Sequence, residues 1–145
     1  MKADGDEVED HTYTHPNLDE ATPEHIYEEI LRDAAIIQAC TGVWPHFLRP
    51  PGGQSNPNVL QIAQKLGLTG ALWTVDVLPA EDSGSPQAVI DLVLKKAVPG
   101  GIILLHNGTY ASTEAVPTLV KTLRARGYKL VTLLQIAKDT PGVND

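Results

Sequence analysis

The sequence predicts an α/β fold of repeated strand–helix units around a parallel sheet, on three observations. Short apolar runs alternate with longer amphipathic stretches from Val8 onward. The third and fourth runs, Gly70–Asp76 and Gly101–His106, are apolar on consecutive residues, as strands covered on both faces must be. Side chains with chemical potential gather just after strand candidates, which is where parallel sheets build their sites.

Five units can be counted. Their strand candidates are Glu7–His11, His46–Arg49, Gly70–Asp76, Gly101–His106 and Lys129–Leu133. The helices between them are punctuated clearly. Thr22-Pro23, Asn56-Pro57 and Ser85-Pro86 each put a side-chain acceptor at the N-cap and proline at the first helical position, where the missing N–H costs nothing. Gly42, Gly67 and Gly127 stand where three helices should end. Ile26, Ile30, Ala34 and Ile37 recur at helical spacing, as do Val116, Leu119, Val120 and Leu123, so each helix has an apolar face for the sheet. Cys40 reads as a small buried hydrophobe in Ile36-Ile-Gln-Ala-Cys40. Leu78–Ser85 is the most loop-like stretch.

Composition bounds the function. The 145 residues, 42% hydrophobic and 20% charged, fit a single globular domain over residues 1–145. The net charge is −7, with no basic cluster to neutralise phosphates, so nucleic acid is excluded as a first choice of partner. No apolar run approaches the roughly 18 to 20 residues that cross a bilayer, and no basic segment leads into an apolar stretch near Met1, so neither a membrane span nor a signal peptide is expected in these residues. A lone cysteine forms no intrachain disulfide.

Four constellations carry chemistry. His11-Thr-Tyr-Thr-His15 spaces two imidazoles four residues apart, either a half-shell for a zinc-like ion or a capping pair at the surface. Pro16 pushes His15 away from helical geometry, so the pair should straddle a strand end and a turn. Arg49-Pro-Pro-Gly-Gly53 offers a guanidinium fork and glycine N–H groups able to line an oxyanion hole, or else a proline turn with a solvent-facing arginine. His106 leaves the dry run Ile102–Leu105, where neighbours can tune it for proton transfer. Asp76 closes the preceding strand and could orient that ring or simply cap the loop; Trp73 could line the site or sit in the core. His25 and His46 show no partner logic.

In this order the four pieces resemble the polysaccharide deacetylases of the NodB-homology type, carbohydrate esterase family four. His11-Thr-Tyr-Thr-His15-Pro-Asn-Leu18 looks like the family's His-(Ser/Thr)-x-x-His metal motif, and Arg49-Pro-Pro-Gly-Gly53 its Arg-x-Pro-Tyr-Gly motif. Trp73-Thr-Val-Asp76 looks like the start of its fourth motif and Ile103-Leu-Leu-His106 its Leu-x-His motif. Gly100–His106 and Leu123–Thr132 match the family's last third closely, and the likeness runs from about Gly5 to Ile136.

The resemblance implies an incomplete (β/α) barrel of about five βα units, and a hydrolase that removes acetyl groups from acetylated oligo- or polysaccharides, as amides or esters. It also implies a divalent metal, usually zinc and sometimes cobalt or nickel, held by His11 and His15. His106 would be the general acid, Arg49 would orient a catalytic aspartate, and the Gly52 N–H would stabilise the oxyanion. Leu104 would line the pocket for the acetate methyl. The family is usually secreted or attached to the cell envelope. The family's first motif, Thr-Phe-Asp-Asp-Gly, is absent from the chain, and Gly52 stands in place of tyrosine. Around Pro79 the fourth motif loses its second Asp and its Trp, leaving Glu81 and Asp82 displaced in a longer loop. Five strands do not close such a barrel, so a homo-oligomer covering the open side is expected. A catalytically impaired remnant that only binds metal or carbohydrate is the alternative.

Overall fold

The computed structural model describes residues 5–139. The chain forms two compact units, one ending at Leu72 and one beginning at Trp73. The start of the acidic segment, residues 1–4, lies outside the described residues.

In the first unit, α1 (Pro23–Thr41) starts where Thr22 accepts the His25 N–H and stops at Gly42, whose φ of 75° only glycine adopts without strain. Ile26, Ile30, Ala34 and Ile37 are buried as the spacing predicts. Ile26 and Ile30 pack with Leu18, Leu48, Val59, Ile62, Ala63 and Leu68 in one apolar cluster. A fully buried aliphatic side chain contributes roughly 1.5–3 kcal/mol, so this cluster is the unit's main support. Strand β1 (Phe47–Leu48) is central: it pairs in parallel with β2 (Thr69–Gly70), and Asp10 makes a parallel bridge to Leu48. The strand expected over Glu7–His11 is reduced to that bridge. Between β1 and β2 come a 3₁₀ turn, Pro51–Gly53, and α2 (Pro57–Lys65), capped by the Asn56 side chain on the Val59 N–H.

Cys40 corrects the sequence reading, because it is exposed. It lies in the last turn of α1, just before the Gly42 cap and beyond Ile37, the last buried residue of the helix.

In the second unit, β3 (Val75–Asp76) and β4 (Ile103–Leu104) pair in parallel, with Val75 opposite Ile103 and Asp76 opposite Leu104. The short α3 (Leu78–Glu81) follows, then α4 (Pro86–Lys96), α5 (Tyr110–Ala125) and α6 (Leu133–Asp139). Val75, Val77, Val89, Val93, Ala115 and Leu119 form the core. Four expectations change here. The candidate Gly70–Asp76 splits, since Gly70 pairs with β1 and Val75–Asp76 with β4, leaving Ala71–Thr74 outside any strand. Leu78–Ser85 is not all loop, because the Asp76 carboxylate accepts the Leu78 N–H at 2.9 Å and starts α3. On α5 the buried stripe is Ala111, Ala115, Leu119 and Leu123, and Val116 is exposed. Lys129–Leu133 forms no strand: Thr132 accepts the Ile136 N–H and Leu133 already belongs to α6. The α/β class stands, with parallel pairing in both units.

Candidate active-site residues

The histidine loop of the first unit is held from two sides. Asp10 N–H donates to Phe47 O and Arg49 N–H to Asp10 O, fixing the loop's start on β1. Asp10 Oδ1 accepts the Thr12 N–H at 3.0 Å, closing a tight turn. From α1, Asp33 accepts the His11 N–H, and Glu29 accepts both the N–H and the hydroxyl of Thr14. Thr12 and His15 take φ values of 65° and 59°, a left-handed conformation that costs a β-branched threonine most. The two α1 carboxylates offset that strain and bring the rings together.

The His11 and His15 ring centroids lie 4.9 Å apart at an interplanar angle of 81°. His11 Nδ1 donates to the Arg49 carbonyl oxygen at 2.5 Å, which places the neutral ring's lone pair on Nε2. Burial is the largest influence on this imidazole and holds it below the usual histidine range, with the Arg49 and His15 charges acting in the same direction. A neutral ring with a bare Nε2 is the form a metal ion requires.

Two imidazoles bonded through nitrogen to one tetrahedral ion at about 2.1 Å hold their ring centres about 5 Å apart, so this pair fits half of such a site. Among the described residues no set of three His, Cys, Asp or Glu side chains completes it. Asp10 does not take that place. It is 1% exposed, its Oδ2 has no partner, and burial pushes its carboxyl up to about 7.

Arg49 is half-buried, and burial lowers its guanidinium from the usual arginine value. Among the described residues no carboxylate pairs with it, so its expected aspartate partner is not among them. The turn after it puts Gly52 at φ 59°, where a side chain would find room but not a relaxed backbone. Gly53 N–H is spent on Pro50 O, whereas the Gly52 N–H has no partner among the described residues. The Gln54 side chain accepts the Leu18 N–H at 2.7 Å, tying this turn to the end of the histidine motif.

The second unit builds a different centre. His106 Nδ1 donates to Glu81 Oε2 at 2.6 Å, and the His106 N–H donates to Oε1 at 3.1 Å. Thr109 and Ser112 hydroxyls also donate to Oε1. Glu81 is thus buried with four donors. Burial alone would raise its carboxyl, but the bonds from Ser112, His106 and Thr109 outweigh it and hold the group below the usual glutamate range. The carboxylate on His106 is therefore Glu81 rather than the expected Asp76, whose Oδ1 is spent on starting α3. The reason is local: α3 turns the chain once after β3 and delivers Glu81, five residues after Asp76, to His106 at the end of β4. Leu104 is buried in β4, and Trp73 is half-buried outside the core cluster.

Sequence reasoning missed Glu29, Asp33 and Glu81. The first two had a signal: carboxylates set into the stripe Ile26, Ile30, Ala34, Ile37 demand buried partners. Glu81 had none beyond its displaced place in the motif.

A chitooligosaccharide deacetylase from Bradyrhizobium is 32% identical over 94% of this chain, which spans 68% of that protein. The chain belongs to the polysaccharide deacetylases. The family's profile matches residues 1–71. A bifunctional xylanase/xylan deacetylase from Cellvibrio japonicus is 36% identical over 83% of this chain, which covers only 18% of that longer protein. Among solved structures, a pseudoenzyme of carbohydrate esterase family four from Bacillus anthracis matches with a TM-score of 0.87 and 29% identity, over 94% of this chain and 48% of that one. A mutant of that protein with restored enzymatic activity matches with a TM-score of 0.87 as well.

Proposed function

We propose that this chain is a metal-dependent hydrolase that removes acetyl groups from acetylated oligo- or polysaccharides. The observation that carries the reading is the state of His11, whose Nδ1–H is committed to the Arg49 carbonyl beside the His15 ring, leaving Nε2 bare. His11 and His15 would hold the divalent ion, zinc by donor type, with cobalt or nickel also fitting imidazole. Such an ion supplies Lewis acidity toward a carbonyl and makes bound water acidic near neutral pH.

The chain's own residues do the rest. Gly52 offers an unspent N–H to charge developing on the acetyl oxygen. His106, with Nδ1–H on ionised Glu81, can carry a proton on its other nitrogen and give it to the departing sugar amine or alcohol. Leu104 and Trp73 would bound the acetyl and sugar, and Arg49 would steady an aspartate supplied from outside the described residues. We also propose a homo-oligomer that covers open backbone and exposed apolar side chains. Supporting this, the backbone N–H groups of Lys129–Val131 have no partner among the described residues, and Val98, Leu130 and Val131 are exposed.

Acetate release from acetylated chito- or xylo-oligosaccharides and from an aryl acetate, with and without chelator, tests the reading. Chelator-sensitive turnover is the expected result, and none on any of these would overturn it. The second reading, a binding module without turnover, is favoured by the lack of a third ligand among the described residues. It predicts glycan binding with no acetate released.

A further inference from the structure

We infer that Ser112, through its hydroxyl bond to Glu81, is a positioning residue that sets the acidity of His106. This inference rests on the reading of His106 as the proton donor.

Ser112 is 2% exposed on α5, in a stripe otherwise made of Ala111, Ala115, Leu119 and Leu123. A hydroxyl in such a stripe loses free energy unless it finds a strong acceptor. It finds Glu81 Oε1. The same oxygen takes the Thr109 hydroxyl and the His106 N–H, both at 3.1 Å, while Oε2 is left to the ring at 2.6 Å. The donors therefore divide the carboxylate between two tasks. Three bonds on Oε1 anchor it, and one on Oε2 faces the imidazole.

The helix start fixes two of these groups together. Thr109 is the N-cap of α5: its Oγ1 accepts the Ser112 N–H, while its one hydroxyl proton goes to Glu81 Oε1. Ser112 thus sits on the first turn of α5 with its backbone bound to Thr109 and its side chain bound to Glu81. The groups facing His106 are Glu81 from α3 and Thr109 from the α5 cap. Those facing Glu81 are the His106 ring, Thr109 and Ser112, and the neighbouring Asp82 is exposed.

Every donor on a carboxylate draws charge from it and weakens it as a partner for an imidazolium. With the Ser112 hydroxyl in place, Glu81 stabilises protonated His106 less than a bare buried carboxylate would. The ring then parts with a proton more readily than it would beside a bare carboxylate. Without that hydroxyl the carboxylate turns more of its charge on His106 and holds the proton more firmly.

The test is the pH titration of the His106 ring signal by NMR in the full chain, which needs no turnover. In Ser112→Ala the midpoint should rise by about half a pH unit or more, because Glu81 loses one of the donors that share its charge. Ser112→Cys, of similar shape with a weaker donor, should shift it less in the same direction, and serves if the alanine variant does not fold. In a Glu81→Gln background the Ser112 substitutions should have no effect, since the route is gone. An unchanged midpoint, a fall, or an equal shift in the Glu81→Gln background would overturn the inference. Failure of the proton-donor reading is separate: His106→Ala would then keep full acetate release, whatever the titrations gave.

Discussion

The two histidine centres give the same side chain opposite surroundings. In the first unit His11 meets a backbone carbonyl and a nearby arginine charge, and burial keeps it neutral. In the second, His106 meets a carboxylate locked into its ionised form by three other donors. A carbonyl partner selects a tautomer without favouring charge, and a carboxylate partner favours the imidazolium. The proposed ligand and the proposed proton donor thus differ in what sits on Nδ1, with the same Nδ1–H bonded in both.

The sharpest break of that contrast is His106→Ala, which should lower acetate release from acetylated oligosaccharides by about 10²- to 10⁴-fold and leave zinc binding intact by calorimetry. Next comes His11→Ala, which should weaken zinc binding by at least about 10-fold. Because the His11 ring is held below the usual histidine range, zinc affinity should persist to lower pH than for a free imidazole before protons compete, as calorimetry at pH 5.5 and 7.5 would reveal.

A separate effect concerns stability. Asp10 in the folded chain is pushed up to about 7 from 3.8, so the folded state holds this proton more tightly than the unfolded one. Its stability is then full below about pH 4 and falls as pH rises toward 7, by up to about 1.4 kcal/mol per pH unit. Asp10→Asn should remove that loss and raise Tm at pH 8 but not at pH 4.5. An equal change at both would refute the buried acid. Smallest is Thr22→Ala, which removes the α1 cap and should cost about 1 kcal/mol in chemical denaturation.

The same contrast explains what could be read from the sequence. Helix caps were legible because Thr22-Pro23, Asn56-Pro57 and Ser85-Pro86 act on their own neighbours, and each side chain does cap its helix. The His11–His15 spacing could be read in the same way, but Glu29 and Asp33 on α1 are what bring the two rings together. What decides each ring's partner comes from far along the chain: Asp33 is 22 residues from His11, Arg49 is 38, and Glu81 is 25 residues from His106. Asp76 was the nearer guess in sequence, but α3 spends it on a turn. The strands misread, Gly70–Asp76 and Lys129–Leu133, failed because apolar runs do not state where pairing ends.

The most direct test of the account is to add zinc to the wild-type chain and follow all five histidine ring signals by NMR. The His11 and His15 signals should shift together with one binding curve, while exposed His25 and His46 stay unmoved. Zinc that moves His25 or His46 and leaves the His11–His15 pair unchanged would contradict it.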